Sequence, residues 1–502
     1  MISRMLNWKV RYHKILKNNP DLLDEKTSIL EVGSGGNGLA PYLNRKIFCL
    51  DQKFPERIHK NITPIIGSID DIKYDDDSFD CVVCVDVMEH LSEKIRASAL
   101  AELIRVAKEK VVLSFPCKEF AEKGEQHLEA AFKRLGVQIP DWLQEHIQNG
   151  LPRMADVVSA IASQGYRFSI TPNEGFLQHY SGVILDMLFP VSQEIFSELE
   201  SKAPLEPPIN ENEWDFYYSF IITIYKKKLP APTSPRNNTA KAIEASSIYS
   251  IYHKVLPTDH LDNIIPIYVG EAAQQVGPSS LTDRLRDGSS LDNERWSELS
   301  AIHKIWKEGP KSDVVGFCHY RRLFQSDTTS REINISRSEI EKYRIDKDMF
   351  SGMGGDFIIT PKKLSISSSV FSQYCVTHNA NHICALYNML EKRRPDLLPY
   401  VAEHFGEKLL YANNMFITTW DNFDELCTLW FSILGALESE FPKNSGSRYQ
   451  RRDLSFLAER MFDIWIRQKI ASGVPVVETG IYFVDFEGLD VKEWSPTSHA
   501  QR

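Results

Sequence analysis

The sequence of 502 residues has few cysteines and no long apolar segment. Its 8 cysteines are scattered and lie mostly in apolar runs. This pattern favours reduced thiols in a cytoplasmic protein over a disulfide framework. The longest apolar run, residues 216–225, is too short to span a bilayer. Asp and Glu (68) outnumber Lys and Arg (58), which disfavours nucleic acid as the main partner.

The first residues also lack the apolar segment of a signal peptide. They are basic instead, because residues 4, 9, 11, 14 and 17 are all Lys or Arg and precede the first acid, Asp21. Interspersed apolar residues make the segment amphipathic. Two interpretations stay open: a helix that covers the following domain, or an interfacial helix that binds anionic lipid. We therefore expect a cytoplasmic protein, with peripheral contact at the inner face of the membrane as the alternative.

The chain divides into two α/β regions and a polar connection. Short apolar segments at residues 28–32, 47–50, 63–66, 81–85 and 110–115 alternate with helical stretches, which predicts a doubly wound parallel sheet. A Pro-rich polar stretch follows and cannot form a core. The predicted parts are a first domain at 1–228, a linker at 229–247, a second domain at 248–485 and a polar tail at 486–502.

A glycine-rich turn follows the first predicted strand. Gly33, Gly35 and Gly38 satisfy the spacing G-x-G-x-x-G and are predicted to open a helix. Asp51 ends the second strand, where its carboxylate could accept both hydroxyls of a ribose. The glycines alone are compatible with a dinucleotide such as NAD.

Three further features favour S-adenosylmethionine over NAD. Glu31 precedes the glycines, where a carboxylate can meet the cationic methionine amino group but would repel a pyrophosphate. Residues 67–71 and 78–80 follow, and residues 85–91 (Val-Asp-Val-Met-Glu-His-Leu) end the fourth strand. This order and spacing resemble the class I S-adenosylmethionine-dependent methyltransferases, with a Rossmann-like fold.

The resemblance implies a cofactor site made of Glu31, Gly33, Gly35, Gly38, Asp51, Ile69, Asp70 and Asp86. In it, Ile69 and Asp70 flank the adenine and Asp86 lies near the sulfonium. Methyl transfer to a sugar hydroxyl would also benefit from a base. His146 is the main candidate, with His90 and His127 as alternatives.

A second set of motifs lies in the second region. The apolar strand 312–318 ends in His319-Tyr-Arg321-Arg322, and further motifs occupy residues 292–299, 355–359, 413–417 and 452–460. In this order they resemble the galactofuranosyltransferase-like family of capsule and O-antigen gene clusters, long described as a domain of unknown function. The family usually has Gly where Ser455 stands. The resemblance implies a GT-A-like fold with a nucleotide-sugar site at the carboxyl ends of its strands.

Metal-dependent GT-A enzymes hold a divalent cation with an Asp-x-Asp motif, and no convincing one is present. Asp346-Lys-Asp348 has the spacing but lies in a charged segment. We expect Arg321 and Arg322 to neutralise the departing diphosphate instead, without a metal. One of the two is expected to be a structural ion-pair partner of Glu298 or Glu459.

Inverting sugar transfer also needs a carboxylate base near the acceptor hydroxyl. Glu459 is the first candidate, Asp453 the second and Asp356 the third. Because Glu459 and Arg460 are adjacent on a predicted helix, they are expected to point differently. The predicted substrate-binding residues are His319, Arg321, Arg322, Glu298, Asn414, Met415 and Arg460.

Together these features predict a bifunctional enzyme of surface-polysaccharide synthesis. One domain would transfer a hexose, with galactofuranose as the candidate, from a nucleotide sugar to a glycan that can be lipid-linked. The other would O-methylate a sugar with S-adenosylmethionine. Two alternatives stay open: one domain is catalytic and the other is a binding or scaffold module, or the chain is an NAD-dependent sugar-modifying enzyme.

Overall fold

The chain forms two compact units. The computed structural model describes residues 11–176, 179–180, 182–183, 217–230, 243–256, 264–325, 332–336, 339, 350, 353, 355–441 and 447–485. The units comprise Met1–Pro230 with Tyr374–Gly406, and Ala231–Gln373 with Glu407–Arg502. Most of the predicted linker, all of the predicted tail and the Asp346-Lys-Asp348 segment lie outside the described residues.

The first unit contains a seven-stranded sheet in the order β3-β2-β1-β4-β5-β7-β6. Its strands are β1 (Ile29–Val32), β2 (Ile47–Asp51), β3 (Ile62–Ile66), β4 (Phe79–Val85), β5 (Ala107–Pro116), β6 (Tyr166–Pro172) and β7 (Ser219–Lys228). Strands β1 to β5 pair in parallel, whereas β7 runs antiparallel to both of its neighbours. The central strands are apolar and buried because both sheet faces are covered.

The described helices of the first half follow β4, apart from one at the start. They are α1 (residues 11–18), α2 (Glu93–Val106), α3 (Lys118–Leu135), α4 (Asp141–Asn149) and α5 (Met154–Ser163). The helix predicted after the glycine turn is absent from this described segment, which forms turns and a short 3-10 helix, Ala40–Tyr42. Repeated glycines and Pro41 explain the difference, since both residue types disfavour an α-helix.

The second unit is built on a mixed sheet of strands β8 to β13 and β16 to β18. All later strands are β8 (Ser246–Tyr252), β9 (Ile265–Tyr268), β10 (Val314–His319), β11 (Arg322–Phe324), β12 (Glu332–Ser336), β13 (Ile358–Pro361), β14 (Leu364–Ser365), β15 (Leu409–Leu410), β16 (Phe416–Thr419), β17 (Val476–Thr479) and β18 (Ile481–Asp485). Strand β10 pairs in parallel with β8 and antiparallel with β16. The predicted α/β fold class is confirmed in both units.

The later helices belong partly to each unit. They are α6 (Ala272–Gln275), α7 (Asn293–Trp296), α8 (Leu299–Glu308), α9 (Val370–Thr377), α10 (Ala380–Arg393), α11 (Leu398–Gly406), α12 (Trp420–Glu440) and α13 (Asp453–Ala471). Three fully buried tryptophans on α7, α12 and α13 (Trp296, Trp430 and Trp465) contribute to the interior of the second unit. No helix in the described part of the chain is both long and apolar enough to cross a membrane.

Helices α10 and α11 pack in the first unit, although the predicted boundaries put them in the second domain. Strand β6 is an edge strand, so its outer backbone groups need partners. The Asn388 amide supplies them, accepting from Ile170 N at 2.8 Å and donating to Ile170 O at 2.9 Å. Arg167 forms an ion pair with Glu391 at 2.6 Å. A segment distant in sequence thus covers the sheet edge.

Candidate functional site

The first site is built on the carboxyl ends of β1, β2 and β4, where the strand order reverses and a crevice is expected. The glycine turn starts here, and Gly33 N donates to Leu50 O at 2.8 Å. Gly33 and Gly38 have φ of 79° and 50°, which L side chains rarely adopt. An added Cβ would overlap Val87 at Gly33 and the carboxylate of Glu31 at Gly38. The turn therefore requires glycine at both positions.

Glu31 lies beneath this turn and is fully buried. Its carboxylate accepts from the Tyr12 hydroxyl at 2.7 Å and from Leu39 N at 2.8 Å. Burial raises the pKa of Glu31 to about 7, against the opposing effect of these hydrogen bonds. Glu31 thus holds the glycine turn in shape, and its predicted contact with a methionine amino group stays a prediction. Tyr12, from α1, was not among the predicted site residues.

Three predicted residues extend this edge along β2 and β3. The Asp51 carboxylate ends β2 and accepts from Gly35 N at 3.1 Å. Ile69 is buried after β3, and the adjacent Asp70 accepts from the Ser68 hydroxyl. Because β1, β2 and β3 are parallel neighbours, their following residues lie along one edge. The arrangement suits a nucleoside with its ribose at Asp51.

Asp86 follows β4 at the same edge, with a φ of 53°. Its amide donates to Ser114 O at 2.9 Å, and its carboxylate forms an ion pair with Arg11. Arg11 Nε also lies 3.0 Å from a carboxylate oxygen of Glu174. Burial alone would raise the pKa of Glu174, but the charges of Arg11 and His179 outweigh it and lower that pKa. Arg11 was predicted only as one of the N-terminal cations.

The predicted base His146 is buried on α4, and its Nδ1 lies 2.9 Å from a carboxylate oxygen of Glu125. His90 lies beside it, with ring centroids 4.8 Å apart, and is paired through Nδ1 with Glu145 at 2.6 Å. In the described part of the chain, Glu89, His90 and His146 form a group that could hold a metal ion. The third candidate, His127, is exposed on α3.

The second site lies at the carboxyl end of β10, where Glu298, Asn414 and Ser455 converge. The buried carboxylate of Glu298 accepts from Asn414 Nδ2 at 2.7 Å and from the Ser455 hydroxyl at 3.0 Å. Arg452 lies 3.3 Å from its other oxygen. Burial would raise the pKa of Glu298, but the charge of Arg452 and the hydrogen bond from Asn414 outweigh that effect and lower it. Burial lowers the pKa of His319 to about 4, so its imidazole is neutral.

Arg321 and Arg322 follow on the same end of β10. Each guanidinium carbon lies 5.5 Å from the centre of the Phe483 ring. Among the described residues no carboxylate forms an ion pair with either guanidinium, whereas one had been expected to pair with Glu298 or Glu459. Burial lowers the pKa of Arg322. Both side chains are half-buried cations without an anionic partner in the described structure.

Glu459 and Arg460, adjacent on α13, contact each other instead of pointing apart. Arg460 lies 2.9 Å from one carboxylate oxygen of Glu459 and also donates to Gln373 at 2.8 Å. The other oxygen of Glu459 accepts from Asn413 N at 2.9 Å. Burial raises the pKa of Glu459, although Arg460 opposes the shift. Glu459 stays the first candidate base.

The other two candidate bases are placed elsewhere. Asp453 makes a buried bidentate pair with Arg295, at 3.1 and 2.7 Å, which leaves its carboxylate in a structural role. Asp356 accepts from the Thr419 hydroxyl at 2.9 Å, and Thr419 is the register partner of Val314, the first residue of β10. Asp356 therefore lies at the sheet edge opposite to His319 and leaves the set of candidate bases.

Met415 is also not at the predicted place. It is fully buried in the hydrophobic core of the second unit rather than along a pocket. The neighbouring Asn414 turns its side chain toward Glu298 because Asn413 and Asn414 both adopt positive φ, 74° and 48°. Asparagine tolerates this conformation better than most residues.

Several solved structures are similar to part of the chain. A bifunctional glycosyltransferase, WbbM, is 24% identical with a TM-score of 0.42, covering 49% of this chain and 46% of that one. A methyltransferase of Thermotoga maritima is 17% identical with a TM-score of 0.29, covering 45% and 93%. Magnesium protoporphyrin IX methyltransferase of Synechocystis PCC 6803 is 13% identical with a TM-score of 0.25, covering 43% and 80%. No curated protein matches the chain.

Two family models match separate parts of the sequence. Residues 30–115 match a methyltransferase domain and contain the glycine turn, Asp51 and the residues after β4. Residues 247–470 match a domain of unknown function (DUF4422) and contain β10 with its two arginines and most of α13. The chain therefore joins a segment that matches a methyltransferase domain to a segment that matches a DUF4422 domain.

Proposed function

We propose that the chain is a bifunctional enzyme of surface-polysaccharide synthesis, of the capsule or O-antigen type. Its first domain O-methylates a sugar with S-adenosylmethionine, and its second transfers a hexose from a nucleotide sugar. Galactofuranose is the candidate hexose, and the acceptor is a glycan that can be lipid-linked. Joining both activities in one chain raises the effective concentration of the second site near each product.

The methyltransferase half of the proposal rests on one observation: the glycine turn, Asp51 and Asp86 meet at the edge where the strand order reverses. S-adenosylmethionine supplies an activated methyl group when bound. The chain supplies a glycine turn in which a Cβ at Gly33 would overlap Val87, a carboxylate for the ribose, and a second carboxylate held by Arg11. Alignment of the two reactants accounts for much of the expected rate.

The NAD-dependent alternative fits this geometry less well. A dinucleotide pyrophosphate binds at the N-terminus of an α-helix, where free backbone amides face it. The glycine turn is followed instead by turns and the 3-10 helix Ala40–Tyr42. The carboxylate of Glu31 lies against Gly38, where it would also repel a phosphate.

The glycosyltransferase half rests on the two arginines after β10. Arg321 and Arg322 have no anionic partner in the described structure, yet the buried carboxylate of Glu298 and the half-buried carboxylate of Glu459 lie in the same unit with arginines of their own. Two free guanidinium groups on one sheet end can bind a diphosphate in bidentate fashion. They would stabilise the charge that develops as the nucleoside diphosphate leaves, so no metal is required.

In this reaction the acceptor hydroxyl attacks the anomeric carbon while the bond to the diphosphate breaks. The electron pair of that bond leaves with the diphosphate, and the hydroxyl proton passes to a base. Glu459 is the proposed base, since burial raises its pKa toward the range useful for proton transfer.

The experiment that tests the proposal incubates the full chain with a panel of nucleotide sugars and labelled S-adenosylmethionine over candidate glycans. Label in the glycan and release of a nucleoside diphosphate support both activities. If only one activity appears with every glycan, the alternative of one catalytic domain and one binding module replaces the proposal. Methylation of no glycan, together with tight NAD binding, would favour the NAD-dependent alternative.

The division into domains and the cellular location stay proposals too. The packing of Tyr374–Gly406 in the first unit suggests that a fragment of residues 1–235 alone exposes the β6 edge. Comparing its solubility with that of a fragment carrying the added segment tests this. In α1, Tyr12, Ile15 and Leu16 are buried, which favours a covering helix for this part of the N-terminus. Residues 1–10, with the remaining cations, lie outside the described part.

A further inference from the structure

Two polar atoms that face no partner are buried just beyond β4. Glu89 belongs to the 3-10 turn Met88–His90, and His146 lies on α4. Their side chains are 1% and 5% exposed, yet Glu89 Oε2 and His146 Nε2 have no hydrogen-bond partner among the described residues. Burying a polar group without a hydrogen bond is unfavourable, so such a pair calls for an explanation. Together with His90, the ligand atoms of these residues lie within 4.8 Å of one another.

Both histidines are oriented in the way that metal-binding histidines are. Nδ1 of His146 is paired with Glu125 at 2.9 Å, and Glu125 also accepts from the Tyr218 hydroxyl at 2.6 Å. Nδ1 of His90 is paired with Glu145 at 2.6 Å. A carboxylate on Nδ1 holds the proton there and leaves Nε2 with a free lone pair.

The turn that carries Glu89 and His90 is itself fixed. Arg96 Nε donates to Met88 O and Leu91 O, both at 3.1 Å, and Asn149 Nδ2 donates to His90 O at 2.8 Å. Asn149 ends α4, the helix of His146, so the two ligand-bearing elements are tied together. Such support keeps potential ligands in place before any ion arrives.

We propose that Glu89, His90 and His146 bind one divalent transition-metal ion. Metal–ligand bonds of about 2.0–2.2 Å put tetrahedral ligand atoms about 3.3–3.6 Å apart, so a group whose ligand atoms lie within 4.8 Å closes around an ion when these atoms approach one another by about 1 Å. Two imidazole nitrogens and one carboxylate suit Zn²⁺, Mn²⁺ or Fe²⁺ better than Ca²⁺ or Mg²⁺.

Three protein ligands leave further coordination positions open. The His90 side chain is 30% exposed, so the ion is accessible from the solvent side. Asp86 lies three residues before Glu89, at the edge assigned to the cofactor. If the proposed function holds, the open positions take a hydroxyl of the acceptor sugar and place it against the methyl donor. That role rests on the proposed function, whereas the binding of the ion does not.

The test uses the tag-free full chain, stripped with EDTA and titrated with Zn²⁺ or Mn²⁺ by calorimetry and electron paramagnetic resonance. We expect one ion per chain, and at least tenfold weaker binding in Glu89→Gln and in His146→Asn. His127→Asn is the matched control, because His127 is exposed and outside the group, and it should bind like the wild type. His90→Asn, at a half-buried position, gives a third ligand variant that tolerates substitution better.

Binding of S-adenosylmethionine by the same variants, with circular dichroism, separates a lost ligand from a lost fold. A wild-type chain that binds no ion, or His90→Asn and His146→Asn chains that bind it as tightly as the wild type, would overturn the proposal. Ion binding without any binding of S-adenosylmethionine would support the metal site and contradict the proposed methyl transfer. If the wild type binds both the ion and S-adenosylmethionine, EDTA should stop methylation and leave hexose transfer unchanged.

Discussion

Asp51→Ala should weaken the binding of S-adenosylmethionine by about 10- to 150-fold. The carboxylate ends β2 and accepts from Gly35 N at 3.1 Å, so it lies at the glycine turn with capacity for further donors. Removing a charged acceptor of two ribose hydroxyls costs about 1.5–3 kcal/mol, which gives that range of affinity. The fold should lose much less, because Gly35 is half-exposed and its amide can bind water instead.

Calorimetry with S-adenosylmethionine and with S-adenosylhomocysteine measures the effect on the full chain. Asp71→Ala is the matched control, because its side chain is 64% exposed and pairs with Lys73 at the surface. This control should bind within twofold of the wild type, and both variants should keep hexose transfer. An Asp51→Ala chain with wild-type affinity would remove Asp51 from the cofactor site and refute the placement of the ribose.

Three further predictions concern other charged groups. At least one of Arg321→Ala and Arg322→Ala should lower kcat of hexose transfer by about 100-fold, and replacing the same arginine by Lys should restore only part of the activity. EDTA should have no effect on hexose transfer by the wild type. A wild type that needs added Mn²⁺ for turnover would contradict this prediction. Arg295→Ala should destabilise the chain by about 3–5 kcal/mol in urea unfolding, because it leaves the buried carboxylate of Asp453 unpaired. The double variant Arg295→Met with Asp453→Leu should regain this stability and keep hexose transfer. Burial raises the pKa of Glu31 in the folded state from 4.5 to about 7. The free energy of unfolding of the wild type should therefore fall by up to about 3 kcal/mol as pH rises from 4.5 to 7. Glu31→Gln should lack this fall when unfolding is measured across the same pH range.

Much of the first sheet could be predicted, because its central strands are continuous apolar runs. The predicted strands at 47–50 and 81–85 correspond to β2 (Ile47–Asp51) and β4 (Phe79–Val85). The edge strand β6 was missed, since its alternating polar and apolar residues give a weaker signal. Its cover, α10, comes from more than 200 residues later, and no local pattern announces such packing.

The sites divide in the same way. Residues that follow neighbouring strands, such as Asp51 beside Gly35, could be placed from strand order alone. The pairing of Arg295 with Asp453, 158 residues apart, could not, because it depends on how α7 packs on α13. Asp356 was predicted as a candidate base, but it lies at the end of the sheet opposite to His319, and the antiparallel pairing of β13 with β16 that puts it there is not visible in either strand's sequence. Glu89 belongs to the motif at residues 85–91, but only the fold brings it close to His146.

The central claim is that one chain carries two independent transfer sites, and a crossed-variant assay tests it most directly. Wild type, Asp51→Ala, Arg321→Ala with Arg322→Ala, and the combination of all three would be incubated with the nucleotide-sugar panel, labelled S-adenosylmethionine and the glycan acceptors. We predict that Asp51→Ala loses methyl transfer at limiting cofactor and keeps hexose transfer, that the arginine variant shows the reverse, and that the combination loses both. Loss of both activities in either separate variant while the chain stays folded, or no transfer by the wild type with any donor, would contradict the account.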